Sequence, residues 1–134
     1  MSLEERILIN LDDSGYYKLC GYIDRLTEAD DGCYEIHDYK TCSRLPSLET
    51  IENDRQLALY SIGVKQRCPD VKDVRLVWHF LKFDKEIDST RTDKELEELK
   101  SKTIKLIDKI ENTEKIPTNP SRLCNWCKFK HLCR

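Results

Sequence analysis

Hydrophobic and polar residues alternate in three segments near the start of the chain. These segments are RILINL (6–11), YYKLCGYIDRLT (16–27) and CYEIHDYKT (33–41), and the turn-forming stretches DDSG and EADDG separate them. Alternation with many β-branched and aromatic residues, bounded by Asp and Gly, is typical of antiparallel strands joined by hairpins. The sequence therefore predicts three successive strands over residues 6–11, 16–27 and 33–41.

The pattern changes after residue 43. A helix capped by Ser47 or by Thr50 is predicted to run to about Arg67, because Pro69 disfavours helical backbone in the residue before it. The next segment, VKDVRLVWHFLKF (71–83), is crowded with apolar residues. It predicts a fourth strand that is buried on both faces.

A second helix is predicted after Thr92. Thr92 and Glu95 form a capping-box pattern, and apolar residues then recur at helical spacing to about residue 113. The order β-β-β-α-β-α predicts an α/β (α+β) fold with a mixed sheet. We expect one core over residues 4–113 and a separate cysteine-rich tail over residues 114–134.

Composition narrows the function classes. Hydrophobic residues make up 39% and charged residues 36% of the chain, and the formal net charge is −2. No apolar run is long enough to cross a membrane, so a cytoplasmic protein without a membrane partner is expected. Contact with nucleic acid must depend on local basic patches. One such patch lies at the C-terminus, where no acidic residue accompanies Arg122, Lys128, Lys130 and Arg134.

Two carboxylates and a lysine are candidates for chemistry. Asp38 and Lys40 share one face of the predicted third strand, because side chains alternate along a strand. A three-residue loop over residues 30–32 places Asp24 opposite Asp38. A two-residue turn over residues 31–32 instead pairs Asp24 with Tyr39 and turns it away. The sequence leaves both loops open.

Two carboxylates on one sheet face suit a hard divalent cation such as Mg²⁺ or Mn²⁺. A neighbouring lysine orients or deprotonates a water molecule and stabilises charge on a phosphate. Acidic and basic residues also form surface ion pairs of little consequence, and a D-x-K triplet alone does not distinguish the two cases. The apolar neighbours at strand centres favour a functional site, since burying charge there is costly.

Three elements together resemble the RecB-type PD-(D/E)XK nuclease signature. GYIDR (21–25) matches GxxDR, HDYKT (37–41) contains the family's DYKT, and Gln56 with Tyr60 matches a Q-x-x-x-Y helix motif. Residues four apart share a helix face, so both side chains of that pair are expected to point the same way. The elements occur in the family's order, and the resemblance covers the predicted core.

The resemblance implies a restriction-endonuclease-like core, a mixed central sheet flanked by helices. It also implies a role for each matching residue. Asp24 and Asp38 become ligands of Mg²⁺ or Mn²⁺, and the carbonyl of Tyr39 becomes a further ligand. Lys40 becomes the catalytic lysine, and Gln56 lies near the scissile phosphate or the lysine.

The implied activity is metal-dependent exonuclease or endonuclease cleavage of DNA, in repair, recombination or defence. The implied partners are single-stranded DNA or DNA ends, and a helicase subunit or domain. The family also places a metal-binding His or Glu on a helix before the first strand, whereas only Glu4 and Glu5 precede Arg6 here. An N-terminally truncated fragment is therefore expected. The rival functions are a non-catalytic DNA-binding module and a zinc-stabilised interaction domain.

Cys124, Cys127 and Cys133 follow the spacing C-x2-C-x5-C near the C-terminus. With His131, they have the ligand types and number of a zinc site, and a disulfide is the simpler alternative. The resemblance favours a third interpretation. AddB-type and CRISPR-associated RecB-like nucleases carry such a triplet, which binds a 4Fe–4S cluster together with an upstream cysteine. No cysteine precedes Cys20 here, so three of four ligands are expected.

The remaining histidines and tail aromatics have ordinary interpretations. His37 and His79 are expected to pack or to lie at the surface. Trp126 and Phe129 stand among basic residues, where they either stack on single-stranded bases or pack the tail onto the core. Packing is the favoured prediction.

Overall fold

The computed structural model describes residues 1–29 and 31–133. Its centre is a mixed sheet of five strands in the order β1-β2-β3-β4-β5. Neighbouring strands are antiparallel, except for the parallel pair β3 and β4. The strands are β1 (Ser2–Asn10), β2 (Lys18–Glu28), β3 (Tyr34–Lys40), β4 (Val74–Phe80) and β5 (Lys85–Thr90).

Helices follow the third and fifth strands. They are α1 (Leu48–Glu52), α2 (Gln56–Arg67) and α3 (Asp93–Glu111), with short 3₁₀ turns at Leu81–Phe83, Arg122–Trp126 and Lys130–Leu132. Among the described residues, no helix combines the length and the apolar character that crossing a membrane requires. The mixed sheet with helices confirms the predicted α/β restriction-endonuclease-like fold.

The strand prediction missed β5. The segment KEIDST alternates, but Ile87 is its only apolar side chain, so the hydrophobic signal is weak. The predicted strand over 71–83 is also too long, because residues 81–83 form a 3₁₀ turn. That turn ends at Asp84, whose left-handed backbone (φ 45°) reverses the chain into β5.

The first predicted helix is divided into two. Ser47, rather than Thr50, caps α1, and its side chain accepts a hydrogen bond from the Thr50 backbone N–H at 3.2 Å. The chain then leaves the helix at Asn53. A second helix begins at Gln56, whose backbone N–H donates to the Asp54 carboxylate at 2.8 Å. The capping box predicted at Thr92 and Glu95 is confirmed at the start of α3.

The core lies between the sheet and α2. On β3 and β4 the residues that face α2 alternate, and on β4 they are Val74, Leu76, Trp78 and Phe80. Each of these four side chains is at most 3% exposed. Helix α3 packs outside α2 and contributes Leu96 to the same core.

Residues 111–133 contribute little to this core. All are exposed except Cys124, which is partly buried.

At the point where α3 ends, Tyr17 donates a hydrogen bond to Asp108, and Tyr16 donates to Glu111. The hydrogen bond to Asp108 raises the pKa of Tyr17 to about 12. These contacts attach the end of α3 to the β1–β2 hairpin, and the domain division after residue 113 stays a prediction.

Helix α2 approaches β1 very closely at Gly63. A Cβ atom at this position would overlap the Ile7 side chain and lie 3.1 Å from the Leu8 carbonyl oxygen. The backbone oxygen cannot move aside as a flexible side chain can. The absence of a side chain at Gly63 therefore sets the distance between helix and sheet.

We expect Gly63→Ala to lower the free energy of unfolding by about 1–3 kcal/mol through overpacking. This is the net loss that remains after the higher helix propensity of alanine has offset about 1 kcal/mol of the overpacking cost. Urea denaturation followed by circular dichroism measures the change. Ser101→Ala, on the exposed face of α3, is the control and should leave stability unchanged or slightly higher. A Gly63→Ala protein as stable as the parent would contradict the close approach.

Candidate active site

The β2–β3 hairpin has the longer of the two loops considered from the sequence. The Ala29 backbone N–H donates to the Cys33 carbonyl at 2.8 Å, and Gly32 has a left-handed backbone with φ 81°. Asp30, which was assigned to this loop, lies outside the described residues. The resulting register pairs Arg25 with His37. Asp24 and Asp38 are the next residues beyond this last pair.

Strand β2 is irregular at this point. Ile23 and Leu26 are 0% and 4% exposed and both belong to the core, although residues three apart in a regular strand face opposite sides. On the neighbouring strand, Glu4 has a left-handed backbone with φ 48°. Asp24 lies inside the irregularity, and its Oδ2 accepts a hydrogen bond from the Tyr39 backbone N–H at 3.0 Å. The Asp24 carboxylate therefore points from β2 towards β3.

Asp38 and Lys40 form an ion pair on the face of β3 that carries the core. Lys40 Nζ lies 2.8 Å from Asp38 Oδ2, and the two side chains are 35% and 9% exposed. Among the described residues, Asp38 Oδ2 has no hydrogen-bond partner at an acceptable angle. The lysine thus compensates the charge of a buried oxygen that retains capacity for another ligand.

Two residues of α2 continue this contact. Lys40 Nζ donates to Gln56 Oε1 at 3.3 Å, and Gln56 Nε2 donates to the Tyr60 hydroxyl at 3.3 Å. Gln56 is the first residue of this helix, and its backbone N–H donates to the Asp54 carboxylate. The i, i+4 spacing predicted for Gln56 and Tyr60 therefore brings both onto the side of α2 that faces the lysine.

The charge of Lys40 is maintained by its surroundings. Burial disfavours the ammonium form, but the close contact with the negatively charged Asp38 carboxylate outweighs this cost. The carboxylates of Asp54 and Asp24 act in the same direction. The pKa of Lys40 is therefore raised above its ordinary value, and both carboxylates lie close enough to the amine to affect it.

Gly21, the first residue of the GYIDR segment, leaves room for the side chain of Tyr60. The Tyr60 ring lies directly on this glycine, and a Cβ atom there would collide with the ring. The close contact fixes Tyr60 over β2, and through Gln56 it fixes the environment of Lys40.

A shallow cleft of about 230 Å³ opens beside Lys40. Its wall includes Arg44 and Asp54, and Trp78 and Phe80 form its apolar floor. The sequence interpretation did not identify Asp54 or this cleft. Only the position of Asp54 before a helix could have suggested a cap, and nothing in the sequence pattern placed its charge near the lysine.

The tail does not assemble a site in this structure. Cys124, Cys127 and Cys133 are free thiols. Within residues 1–29 and 31–133, no three side chains of His, Cys, Asp or Glu gather closely enough to hold a metal ion. Trp126 and Phe129 are 78% and 66% exposed, so the prediction that they pack onto the core is wrong.

His37 and His79 pack together, as expected, on the sheet face opposite Lys40. His37 Nδ1 lies 2.9 Å from His79 Nε2, and the two rings are stacked. Burial is the main cause of the lowered pKa of His37, and the charge of Arg25 adds to it. Neither histidine is in contact with Lys40.

The Asp38–Lys40 pair gives a stability prediction. Lys40→Met leaves a buried carboxylate without its cation and should cost about 2 kcal/mol, between values for exposed and fully buried pairs. Asp38→Asn removes the buried charge itself and should cost much less. The Lys65–Asp93 pair, also 2.8 Å apart but with Asp93 90% exposed, is the control, and Lys65→Met should cost much less than Lys40→Met. Urea denaturation of metal-free protein distinguishes these outcomes; equal losses for Lys40→Met and Lys65→Met would contradict the prediction.

The chain is similar to known proteins over its whole length. Residues 1–134 match the model of the PD-(D/E)XK nuclease superfamily. No curated protein is significantly similar in sequence.

Among solved structures, the crystal structure of SSO0001 resembles this chain with a TM-score of 0.55 and 21% sequence identity. The likeness covers 98% of this chain and 59% of that chain, so this chain spans about three fifths of the length of SSO0001. At this identity the likeness shows the fold alone. The family match over all 134 residues shows that the chain belongs to the PD-(D/E)XK nuclease superfamily.

Proposed function

We propose that this chain is the nuclease domain of a RecB-type, Mg²⁺-dependent deoxyribonuclease. The observation that carries the proposal is the continuous set of contacts from Asp38 through Lys40 and Gln56 to Tyr60. Asp24 reaches β3 from the neighbouring strand. Superfamily membership supports nuclease chemistry on DNA, and these contacts support the assignment of residues to it.

The donor atoms at this position fit a hard divalent cation. The carboxylates of Asp24 and Asp38 and the carbonyl of Tyr39 would hold it, and all three donors are oxygen, as Mg²⁺ and Mn²⁺ prefer. The buried Asp38 Oδ2 without a hydrogen-bond partner is the observation that favours a missing ligand. Bound there, the ion would supply Lewis acidity and a more acidic water molecule.

Lys40 is the catalytic residue in this proposal. Its ammonium lies at the opening of the cleft, where a phosphate oxygen of the substrate can replace Gln56 as acceptor. A fixed cation there stabilises the negative charge that develops on the phosphate in the transition state. Gln56 orients Lys40 before the substrate binds, and Tyr60 orients Gln56.

The proposed substrate is single-stranded DNA or a DNA end, in repair, recombination or defence, and the proposed partner is a helicase subunit or domain. The cleft beside Lys40 is shallow, and Arg44 is the basic residue in its wall besides Lys40. The net charge of −2 makes a broad electrostatic contact unfavourable. A narrow strand guided by a few cations fits this surface better than an extended duplex.

Cleavage of a labelled single-stranded DNA oligonucleotide by the protein that contains this domain tests the proposal. We expect activity that needs Mg²⁺ or Mn²⁺, with Asp24→Ala, Asp38→Ala and Lys40→Ala each reducing the rate at least about 100-fold through loss of transition-state stabilisation. Lys65→Ala and Asp93→Ala remove an ion pair of the same residue types at the same 2.8 Å distance and should retain the parental rate.

Two results would overturn the proposal. Metal-independent cleavage, or cleavage unaffected by the three substitutions, would show that the activity resides elsewhere or is a contaminant. Binding of the oligonucleotide without cleavage in any divalent metal would favour the alternative, a nuclease fold that serves DNA binding alone.

The cysteine tail is proposed to hold a 4Fe–4S cluster. Cys124, Cys127 and Cys133 would provide three thiolates and need a fourth ligand from elsewhere. The tail buries almost nothing, so a metal centre would supply the folding free energy that packing does not. Zinc bound by the three cysteines and His131 is the alternative.

Anaerobic purification of the protein that contains this domain, followed by metal analysis, distinguishes the two centres. We expect a brown protein that contains iron, and Cys127→Ser should lose both the colour and the iron. Cys42→Ser, which removes an exposed cysteine outside the tail, should keep them. A colourless protein with one zinc per chain would support the zinc site instead, and a protein without either metal would contradict both.

A further inference from the structure

The sheet has a polar cluster on the face opposite the candidate active site. We call Arg25, His37, Tyr39 and His79 the back-face cluster. The rings of Tyr39 and His79 stack with centroids 4.7 Å apart, and His79 stacks in turn on His37. The helices contact the other face, and this cluster lies directly behind Asp38 and Lys40.

Arg25 is the member of the cluster that comes from β2. Its Nη2 lies 3.1 Å from His37 Nδ1, and its guanidinium carbon lies 5.7 Å from the centre of the Tyr39 ring. A planar guanidinium suits both contacts, because it donates in its plane and stacks through its face. Arg25 therefore contacts both residues of β3 that flank Asp38, His37 and Tyr39.

The contacts of Arg25 occur where the backbone ladder stops. In the described part of the chain, the pairing between β2 and β3 runs from Glu28–Tyr34 to Arg25–His37 and has no further pair beyond it. Asp24 and Asp38 lie immediately past that end. Two contacts cross the gap there: the hydrogen bond from the Tyr39 N–H to Asp24, and the contact of the Arg25 guanidinium with the Tyr39 ring.

Residues of β4 and β5 hold the β3 residues that Arg25 contacts. His79 belongs to β4, and its Nδ1 lies 3.3 Å from a carboxylate oxygen of Glu86 on β5. Thr27 Oγ1 lies 3.1 Å from His37 Nε2 on the other side. Both ring nitrogens of His37 therefore have neighbours: Arg25 and His79 at Nδ1, and Thr27 at Nε2.

We infer that Arg25 is a positioning residue that sets the separation of the Asp24 and Asp38 carboxylates. The inference rests on the proposed function, because it assigns those carboxylates to a divalent ion. Arg25 acts from the opposite face of the sheet and does not touch substrate. It replaces the missing ladder bonds and so keeps β2 and β3 at a spacing suited to one cation.

The sign of the effect on metal affinity separates positioning from simple electrostatics. Arg25 carries a positive charge near a cation site, so removing that charge alone should tighten Mn²⁺ binding. Loss of positioning should weaken it, as loss of outer-shell partners typically does by about 10–100-fold. The two explanations therefore predict opposite shifts.

Mn²⁺ binding, followed by electron paramagnetic resonance of the free ion, is the test. We expect Arg25→Met to raise the Kd at least about tenfold. Arg25→Lys keeps the charge but lacks the planar fork, and it should raise the Kd as well. Arg67→Met is the matched control, because Arg67 pairs with Glu5 and neither residue contacts the back-face cluster, and its Kd should stay within about twofold.

The outcomes distinguish this inference from the proposed function. Binding by the parent protein that Asp38→Ala abolishes, together with unchanged or tighter binding by both Arg25 variants, overturns the inference alone. No binding by the parent protein overturns both. Arg25→Lys, the milder change, provides the answer if thermal melting shows that Arg25→Met does not fold, and a weakened Kd in a folded Arg25→Lys protein supports the inference.

Discussion

The candidate site depends on one buried charge. Asp38 lies on a strand between the core and the cleft, and Lys40, two residues along, is the cation that compensates it. Burying a carboxylate is costly, and a single half-buried lysine compensates only part of that cost, so this arrangement contributes little to stability. The contacts around it follow from that cost: Gln56 holds the lysine, Tyr60 holds Gln56, and Gly21 leaves room for the Tyr60 ring.

The change from antiparallel to parallel strand pairing produces this arrangement. Strands β1 to β3 form antiparallel hairpins, and α2 then carries the chain across to the parallel strand β4. This crossover places the first turn of α2 at the end of β3, where Lys40 lies. Residues 56–60 are distant from Lys40 in sequence, but the first turn of α2 brings them next to it.

Much of the site could be predicted because it depends on short-range rules. The alternation of a strand brings Asp38 and Lys40 together, a glycine loop sets the register with β2, and a four-residue spacing aligns Gln56 with Tyr60. The irregularity at Asp24 could not be predicted, since it reflects how both Ile23 and Leu26 reach the core. Strand β5 was missed for a related reason: its pairing with β4 stabilises a segment whose own apolar content is low.

The contact between Gly21 and Tyr60 links two segments that a linear comparison of sequences treats as independent. A side chain at the first position would demand a smaller residue at the second, and the Gln56 amide would then lose the hydroxyl that holds it. Related chains should therefore change these two positions jointly or not at all. Such paired change would carry information about the geometry around Lys40 even in sequences too divergent to align by the acidic residues alone.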